Sequence, residues 1–191
     1  AHTLTIEPGV EVQFDADVPF VVEGRIHAVG TETDSIRMYS LWRMKWGGLQ
    51  ISGADSNTLH YVHITDGYAT DGGGIHLSEA NTRLSLAHTV IAGNYAAHSG
   101  GGVYLGPGTK AWIVDCTVSG NVSAGTGSST RGGGGLCVYS ATAEVFNSVF
   151  TGNAAGQYGG AAFVYSSAAQ LLNCTITSNT FSTSRVDVII L

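Results

Sequence analysis

Gly72-Gly73-Gly74-Ile75-His76-Leu77 indicates how the chain folds, because related stretches follow it along the sequence. The later copies begin at Gly100, Gly133 and Gly159, and each copy leads to an asparagine. These asparagines are Asn94, Asn121, Asn153 and Asn179, which are separated by 27, 32 and 26 residues. Self-similarity at such a period predicts a solenoid built from stacked repeats.

Each repeat is interpreted as one coil of a parallel β-helix. It is too short for a propeller blade and too rich in glycine and β-branched residues for a helical repeat. Apolar residues alternate within three short segments of each coil, which predicts three strands with apolar side chains inward. The predicted inward columns are Leu86, Ile113, Val145 and Leu171, and Ile91, Val118, Phe150 and Ile176. A diverged form of the pattern before residue 72 extends the solenoid to about seven rungs in one domain, residues 1–183.

The asparagines and cysteines are interpreted structurally. Stacked side-chain amides one rung apart, about 4.8 Å, can hydrogen bond to one another, which predicts an asparagine ladder. Cys116 and Cys174 fall in one inward column two rungs apart, roughly 10 Å, which is too far for a disulfide. Cys137 is predicted to point outward, with no cysteine partner.

Composition limits the functions that the chain can have. With 27 glycines, 43% hydrophobic and 12% charged residues, its 191 residues suit one elongated all-β domain. A formal charge of −6 with only eight Lys and Arg argues against nucleic-acid binding, which needs clustered cations. The chain has no apolar run long enough to span a bilayer and no basic-then-apolar leader. We therefore expect no membrane span, an export signal already removed, and a secreted or cell-surface location.

Two sets of motifs resemble known bacterial proteins. The run Leu4–Val12, with Val22-Glu23-Gly24 and Trp46-Gly47-Gly48-Leu49, resembles the first rungs of bacterial right-handed parallel β-helix proteins. The Gly-Gly-Gly stretches, with Phe150–Asn153, are similar to repeats of bacterial surface proteins, including the polymorphic outer-membrane protein group. The resemblance covers nearly the whole chain and implies a right-handed, pectin-lyase-like β-helix of about seven three-strand rungs. Because this fold carries lyases, esterases, epimerases, adhesins and stalks, function must come from outward residues.

The outward column of the first strand is one candidate binding surface. It is predicted to contain Gln50, His76, Tyr104, Cys137 and Phe163. The pectinase-like proteins that the chain resembles carry their active site on this face, but this column has no carboxylate, which argues against pectin methylesterase or galacturonase chemistry. Its aromatic residues suit stacking on sugar rings, and ordinary exposed aromatics are the alternative.

A second candidate lies at the turn between the second and third strands. The rungs align Tyr61, His88, Asp115, Asn147 and Asn173 in one column. His88 and Asp115 are then neighbours, so the carboxylate is expected to orient the imidazole as a general base. Ser85, on the outward side of the second strand, is the candidate nucleophile, although no Gly-x-Ser-x-Gly motif is present. A ladder of polar turn residues without chemistry is the alternative.

Other histidines and aspartates suggest metal or acid–base sites. His60 and His63 flank Tyr61 and are candidate metal ligands. Asp66, Asp71 and His76, at one corner, are predicted either to bind Ca²⁺, to act as acid and base, or simply to form turns. No cofactor is expected, because the spacing of these residues supports neither Zn²⁺ nor Ca²⁺.

Two further segments leave the regular coil. The loop Ser40–Trp46 carries Trp42 and Trp46, which either contact a sugar or acidic glycan or cover the core. Residues 184–191 are interpreted as a C-terminal tail. Its Ser184-Arg185-Val186-Asp187 is what adjacent restriction sites of a cloning polylinker would encode. The alternative is a strand that caps the open end or pairs with a second copy in a homodimer.

These features support two functions of different classes. The first is an extracellular bacterial module, a fragment of a larger surface protein, that contacts polysaccharides or partner proteins. The second is a small hydrolase of simple or carbohydrate esters that uses His88, Asp115 and Ser85. A third and weaker hypothesis is ice binding by the threonines of the third strands, whose regular array is interrupted by Val90, Ala92 and Val149.

Overall fold

The computed structural model describes residues 2–15, 17–41, 44–53, 56–126, 132–182 and 188–190. Their regular elements are β-strands, which pair in parallel with the strands of the neighbouring coils to form four sheets. Sheet I contains β1 (Thr3–Ile6), β4 (Arg25–Val29), β7 (Asn57–His60), β11 (Arg83–Ala87), β15 (Lys110–Val114), β19 (Thr142–Phe146) and β23 (Ala168–Leu172). Sheet II contains β2 (Glu11–Phe14), β5 (Ile36–Ser40), β8 (Val62–Thr65), β12 (Val90–Ala92), β16 (Thr117–Ser119), β20 (Val149–Thr151) and β24 (Thr175–Thr177).

The other two sheets complete each rung. Sheet III contains β9 (Tyr68–Asp71), β13 (Tyr95–Ser99), β17 (Val122–Ser123), β21 (Ala154–Ala155) and β25 (Thr180–Phe181). Sheet IV contains β3 (Phe20–Val22), β6 (Leu49–Ser52), β10 (Ile75–Ser78), β14 (Val103–Leu105), β18 (Leu136–Tyr139), β22 (Ala162–Tyr165) and β26 (Val188–Ile190). The predicted parallel β-helix is therefore confirmed. Its three predicted strands lie in sheets IV, I and II, and the short fourth strand of sheet III is an addition that the sequence pattern did not reveal.

The predicted inward columns form the core. Leu86, Ile113 and Val145 on sheet I are fully buried, as are Ile91 and Phe150 on sheet II. Leu171 and Ile176 are only half-buried, because they lie on the last rung of their sheets. The packing of these columns is continuous along the solenoid, so each rung buries its apolar residues between its two neighbours.

The asparagine ladder lies at the corner between sheets II and III. Its four side chains, Asn94, Asn121, Asn153 and Asn179, are all buried. Asn94 Nδ2 donates to Asn121 Oδ1 at 3.0 Å, and Asn121 Nδ2 donates to Asn153 Oδ1 at 2.9 Å. The same oxygens accept backbone N–H groups, and each Nδ2 also donates to a strand carbonyl such as Ile91 O. The predicted ladder is confirmed, and it satisfies both the amides and the turn backbone that would otherwise be buried without partners.

The corner between sheets III and IV explains the glycine repeat. At Gly101, a Cβ atom would lie 2.5 Å from the carbonyl oxygens of Gly134 and Val122 in the next rung. Gly100, which precedes it, has a φ of 65°. The backbones of successive rungs approach too closely here for any side chain, so the repeat requires glycine.

The three cysteines of the chain are free thiols. Cys116 and Cys174 are free thiols, as expected, and burial raises the pKa of the Cys116 thiol to about 11. Cys137 lies in the outward column of sheet IV, as predicted, and is nevertheless fully buried. Its neighbours in that column, Tyr104 and Phe163, are aromatic residues large enough to cover the small thiol between them.

The C-terminal tail is only partly described, because residues 183–187 and 191 lie outside the described ranges. Its strand β26 pairs in parallel with β22, with Val188 opposite Ala162. The strand therefore takes the next position in sheet IV. A cloning origin of residues 184–191 and dimer formation at this end remain predictions.

The ladder can be tested by exchanging a single atom. Asn121→Asp replaces the Nδ2 donor by an oxygen that faces Asn153 Oδ1 and Ile91 O. Each buried group left unpaired costs about 1–3 kcal/mol, so we expect a loss of roughly 3 kcal/mol in the free energy of unfolding, measured by urea denaturation. Asn147→Asp is the matched control at an exposed turn position, where a change within about 0.5 kcal/mol is expected. Equal shifts in the two variants would contradict the role given to the ladder.

Candidate functional site

An open groove follows the corner between sheets III and IV on the early rungs. Its cavity has a volume of about 340 Å³. Five polar side chains line this III–IV groove: Asp17, Gln50, Thr70, Asp71 and His76. Gln50 and His76 are register partners on β6 and β10, whereas Thr70 and Asp71 come from β9 and Asp17 from the loop before β3. The groove therefore collects side chains from several segments that are far apart in sequence.

His76 is the central side chain of the III–IV groove. Burial lowers the pKa of its imidazole below the ordinary value, and the nearby Asp71 carboxylate partly opposes this shift. The imidazole meets the ring of Tyr104 edge-on, with centroids 5.0 Å apart and an interplanar angle of 82°. A neutral imidazole held in this way offers one donor and one acceptor to a ligand in the groove.

The predicted binding column is open only at its lower end. Gln50, His76 and Tyr104 are half-buried and accessible, but Phe163 is only 2% exposed. The ring of Phe163 stacks with Tyr158 at 5.7 Å and with Tyr165 at 6.3 Å. The prediction that Phe163 binds a sugar is therefore wrong, because neighbouring aromatic residues cover its ring.

The predicted group of Asp66, Asp71 and His76 is divided by the structure. Asp66 lines a separate groove of about 390 Å³ with Lys45, Tyr68 and Tyr95. In this groove the two tyrosine rings stack at 4.6 Å, and Lys45 Nζ lies 3.5 Å from the Tyr68 centroid. Asp17, which the sequence analysis did not single out, takes the place of Asp66 beside Asp71.

Trp46, at the end of the Ser40–Trp46 loop, belongs to the hydrophobic core. Trp46 is fully buried, stacks on Phe14 at 4.2 Å and donates from Nε1 to Thr65 O at 2.7 Å. It therefore covers the core, which was one of the two predicted alternatives, and its prediction as a binding residue is wrong. Trp42 lies outside the described residues.

The corner between sheets I and II contains the predicted column of turn residues, but the predicted pairing of His88 with Asp115 does not form there. The five residues of this column have positive φ angles between 49° and 54°: Tyr61, His88, Asp115, Asn147 and Asn173. The His88 ring stacks on Tyr61 at 4.6 Å. In the described chain no hydrogen bond or ion pair joins His88 to Asp115, and both residues are exposed. The prediction of a carboxylate-oriented His88 is therefore wrong, because stacking rather than hydrogen bonding holds its ring.

Ser85 has a different histidine partner. Its Oγ lies 3.1 Å from His60 Nε2, one rung below. Burial is the main cause that lowers the pKa of the His60 imidazole, with smaller contributions from His88 and His27. The pair is diagonal, because Ser85 lies directly opposite Thr58. A serine hydroxyl beside a neutral imidazole can act as a nucleophile with its base, although no described carboxylate bonds this histidine.

His60 and His63 lie on different sheets, on either side of the Tyr61 turn. His60 ends β7 of sheet I, whereas His63 is on β8 of sheet II, where burial and Arg37 lower its pKa. The structure does not bring the two imidazoles together with further ligands. In the described part of the chain, no group of three or more His, Cys, Asp or Glu side chains is arranged to hold a metal ion.

The outer face of sheet II contains the threonine array. The register places Thr117 beside Val90 and Val149, and Ser119 beside Ala92 and Thr151. The predicted columns are therefore correct, and so are their interruptions. Ice binding remains a hypothesis without a continuous hydroxyl array to support it.

Comparison with known proteins identifies the family. The family model described as right-handed beta helix region matches residues 25–187. The chain belongs to the right-handed β-helix family. Searches of curated proteins and of solved structures gave no match. Among the described residues of this β-helix protein, no helix is long and apolar enough to cross a membrane.

The buried histidines predict how stability depends on pH. Burial lowers the pKa values of His60, His63 and His76, whereas the unfolded chain binds protons near the ordinary histidine pKa of about 6.5. The unfolded state therefore binds more protons below this pH, so the stability from neutral imidazoles is lost as pH falls through the folded values. We expect the urea midpoint to fall between about pH 7.5 and about pH 5.5.

The contribution of one histidine can be isolated by substitution. His76→Gln is expected to flatten the decline of the midpoint, whereas His98→Gln, at an exposed position, is expected to leave the wild-type decline unchanged. A midpoint that rises on acidification over this range would contradict the direction assigned to the histidine pKa values.

Proposed function

We propose that this protein is an extracellular β-helix module that binds neutral glycans through the III–IV groove. The proposal includes a bacterial source and a secreted or cell-surface location, which the resemblance of its repeats to bacterial surface proteins supports. Membership of the right-handed β-helix family is compatible with a glycan-contacting module, because this fold presents long open surfaces.

The observation that carries the proposal is the convergence of Asp17, Gln50, Thr70, Asp71 and His76 on one open groove. A primary amide, a hydroxyl, two carboxylates and a neutral imidazole together offer donors and acceptors to several sugar hydroxyls. Tyr104, held edge-on to His76, adds apolar surface beside these polar groups. Small polar ligands are recognised by such a combination of a few convergent hydrogen-bonding groups.

The charge of the groove favours a neutral ligand. Asp17 and Asp71 line it, no described Lys or Arg side chain does, and the formal charge of the chain is −6. An acidic saccharide would be repelled by the two carboxylates. We therefore assign neutral oligosaccharides, whose hydroxyl groups donate to the carboxylates, to this groove.

A hydrolase is the second candidate, and the hydrogen bond between Ser85 and His60 is the observation that favours it. The pair differs from the His88 and Asp115 that the sequence suggested. Ser85 lies within β11, whose backbone pairs with β7 and β15, so its N–H group belongs to a strand ladder and not to an oxyanion hole. The side chain of Arg83, also outward on β11, is the cation available to stabilise developing negative charge.

Glycan binding is tested by titrating the protein with neutral hexasaccharides of glucose, xylose and mannose in a calorimeter. Gln50→Ala and His76→Ala are each expected to weaken binding about five- to tenfold, because each removes hydrogen bonds worth about 1 kcal/mol. Gln170→Ala and His63→Ala are matched controls on sheets I and II, and they are expected to bind as the wild type does. Absence of binding in the wild type, or equal losses in the controls, would refute the proposal.

The hydrolase is tested with short-chain p-nitrophenyl esters. If Ser85 and His60 form a catalytic pair, Ser85→Ala and His60→Ala each reduce turnover at least a hundredfold, which is typical for loss of an acid–base or nucleophilic group. His98→Ala is the control, and it is expected to retain turnover because His98 lies at an exposed position on β13 of sheet III, away from the Ser85–His60 pair on sheet I. Turnover that survives Ser85→Ala would exclude this pair, and an inactive wild type would leave binding as the function.

A further inference from the structure

A second groove follows the corner between sheets IV and I, and we call it the IV–I groove. Cations line it, whereas carboxylates line the III–IV groove. The IV–I groove has a volume of about 330 Å³. It is lined at the same turn position on four successive rungs, by residues 81 and 83, 108–110, 140–142 and 166–168. Three rung spacings of about 4.8 Å give it a length of roughly 14 Å along the solenoid axis.

The IV–I groove contains two cations and no described acidic side chain. Arg83 and Lys110 are register partners at the starts of β11 and β15, so their side chains leave the same face one strand apart. The whole chain has eight Lys and Arg against fourteen Asp and Glu. Because Glu144 pairs with Lys110, the unpaired positive charge of the groove is that of Arg83, and it favours an anion.

The two cations differ in whether they are already paired. Lys110 Nζ lies 2.7 Å from Glu144 Oε1 and 4.3 Å from the Trp112 ring centroid. Trp112 Nε1 donates to the other oxygen of Glu144 at 3.0 Å, and the Lys110 hydrogen bond holds the pKa of the Glu144 carboxyl low. Lys110 is thus fixed in place, whereas the exposed Arg83 has no carboxylate partner among the described residues. The planar guanidinium of Arg83 is free to bind an oxyanion through two parallel hydrogen bonds.

Free polar side chains continue the groove beyond the cations. Asn81, Ser140, Thr142 and Ser166 make no side-chain hydrogen bond among the described residues. By contrast, the hydroxyls of Thr109 and Ser167 donate to backbone carbonyls and close the turns. Unbonded amide and hydroxyl groups therefore recur from rung to rung along the groove. The hydroxyls of a linear saccharide recur along its chain in the same way.

The backbone of the IV–I groove is not available to a ligand. Asn81 N donates to Gly108 O, Gly108 N donates to Ser140 O, and Ser140 N donates to Tyr165 O. A peptide is commonly recognised through backbone hydrogen bonds. Only side-chain cations, hydroxyls and amides remain here, and this set matches a saccharide with anionic substituents.

We propose that the IV–I groove binds a linear acidic oligosaccharide, with its carboxylate or sulfate on Arg83 and its hydroxyls on Asn81, Ser140, Thr142 and Ser166. The site is separate from the III–IV groove and carries the opposite charge. It deepens the proposed function by adding a class of glycan, but it does not depend on neutral glycans binding at the III–IV groove.

The test uses the intact protein in a calorimeter with a carboxylated hexasaccharide of mannuronic acid, a sulfated hexasaccharide from heparin, neutral cellohexaose and hexaglutamate. The wild type is expected to bind at least one acidic saccharide, more weakly as salt is raised. The carboxylated and sulfated probes distinguish the two sources of negative charge. Binding of neither acidic saccharide would overturn the proposal, as would hexaglutamate binding of equal strength and equal dependence on Arg83.

Variants localise the binding. Arg83→Gln is expected to weaken it at least tenfold, because a charge-assisted hydrogen bond is worth about 1.5–3 kcal/mol. Arg37→Gln is the matched control, since it removes the same charge from sheet II, where Arg37 pairs with Glu11. Equal losses in Arg83→Gln and Arg37→Gln would indicate only general electrostatic attraction and overturn the assignment.

His76→Ala separates the two proposals. It is expected to leave acidic binding unchanged while it weakens neutral binding in the III–IV groove. Acidic binding without neutral binding would refute the proposed function alone, whereas neutral binding without acidic binding would refute this inference alone. Loss of acidic binding in His76→Ala would also overturn the assignment to the IV–I groove.

Discussion

The buried asparagine ladder is the interaction on which the rest of this β-helix depends. Each amide bonds the amide of the next rung, a backbone N–H group and a strand carbonyl, as Asn121 does with Asn153, Asn94 and Ile91. These buried groups lose their partners if a rung slips by one residue, and the same slip would turn every apolar side chain outward. The ladder therefore fixes the register of each rung, and with it the position of every outward residue.

Because the register is fixed, the side chains that line the two candidate grooves of this protein lie at the corners. On the flat faces, inward and outward side chains alternate and neighbouring rungs take up the backbone hydrogen bonds. At the corners, turn residues such as Asp115 and Ser166 adopt positive φ angles and leave their side chains exposed. Both proposed grooves lie along corners, one with Asp71 and His76 and the other with Arg83 and Lys110. A single solenoid thus presents surfaces of opposite charge side by side.

The sequence allowed the coil, the inward columns and the asparagine ladder to be predicted, because each follows from a repeat and a period of two. The fourth strand could not be predicted, since members such as β17 and β21 have only two residues and show no alternation. The burial of Phe163 escaped prediction because aromatic neighbours cover its ring, and the sequence left Trp46 open between the core and a binding surface until its stacking on Phe14 was seen. In each case the missing information was tertiary contact, which a column alignment does not contain.

The candidate sites were predicted less well, for a related reason. Aligned columns show which residues are direct neighbours, so His88 and Asp115 were expected to interact, but the direction of each side chain depends on competing contacts. Stacking on Tyr61 decides the orientation of His88. The Ser85 pair with His60 is diagonal and therefore absent from a column alignment. The sequence contains Arg83 and Lys110, but it does not show that the two line one groove, nor that Glu144 pairs with Lys110 and leaves Arg83 without a described carboxylate partner.

We have proposed two separate saccharide grooves of opposite charge on this β-helix. The most direct test is a pair of backbone amide NMR titrations of the 19.7 kDa protein. Cellohexaose is expected to shift the amides of Gln50, Thr70 and His76, whereas an acidic hexasaccharide is expected to shift those of Arg83, Ser140 and Ser166. Shifts at neither corner, or the same set of shifts with both sugars, would rule out two separate saccharide grooves.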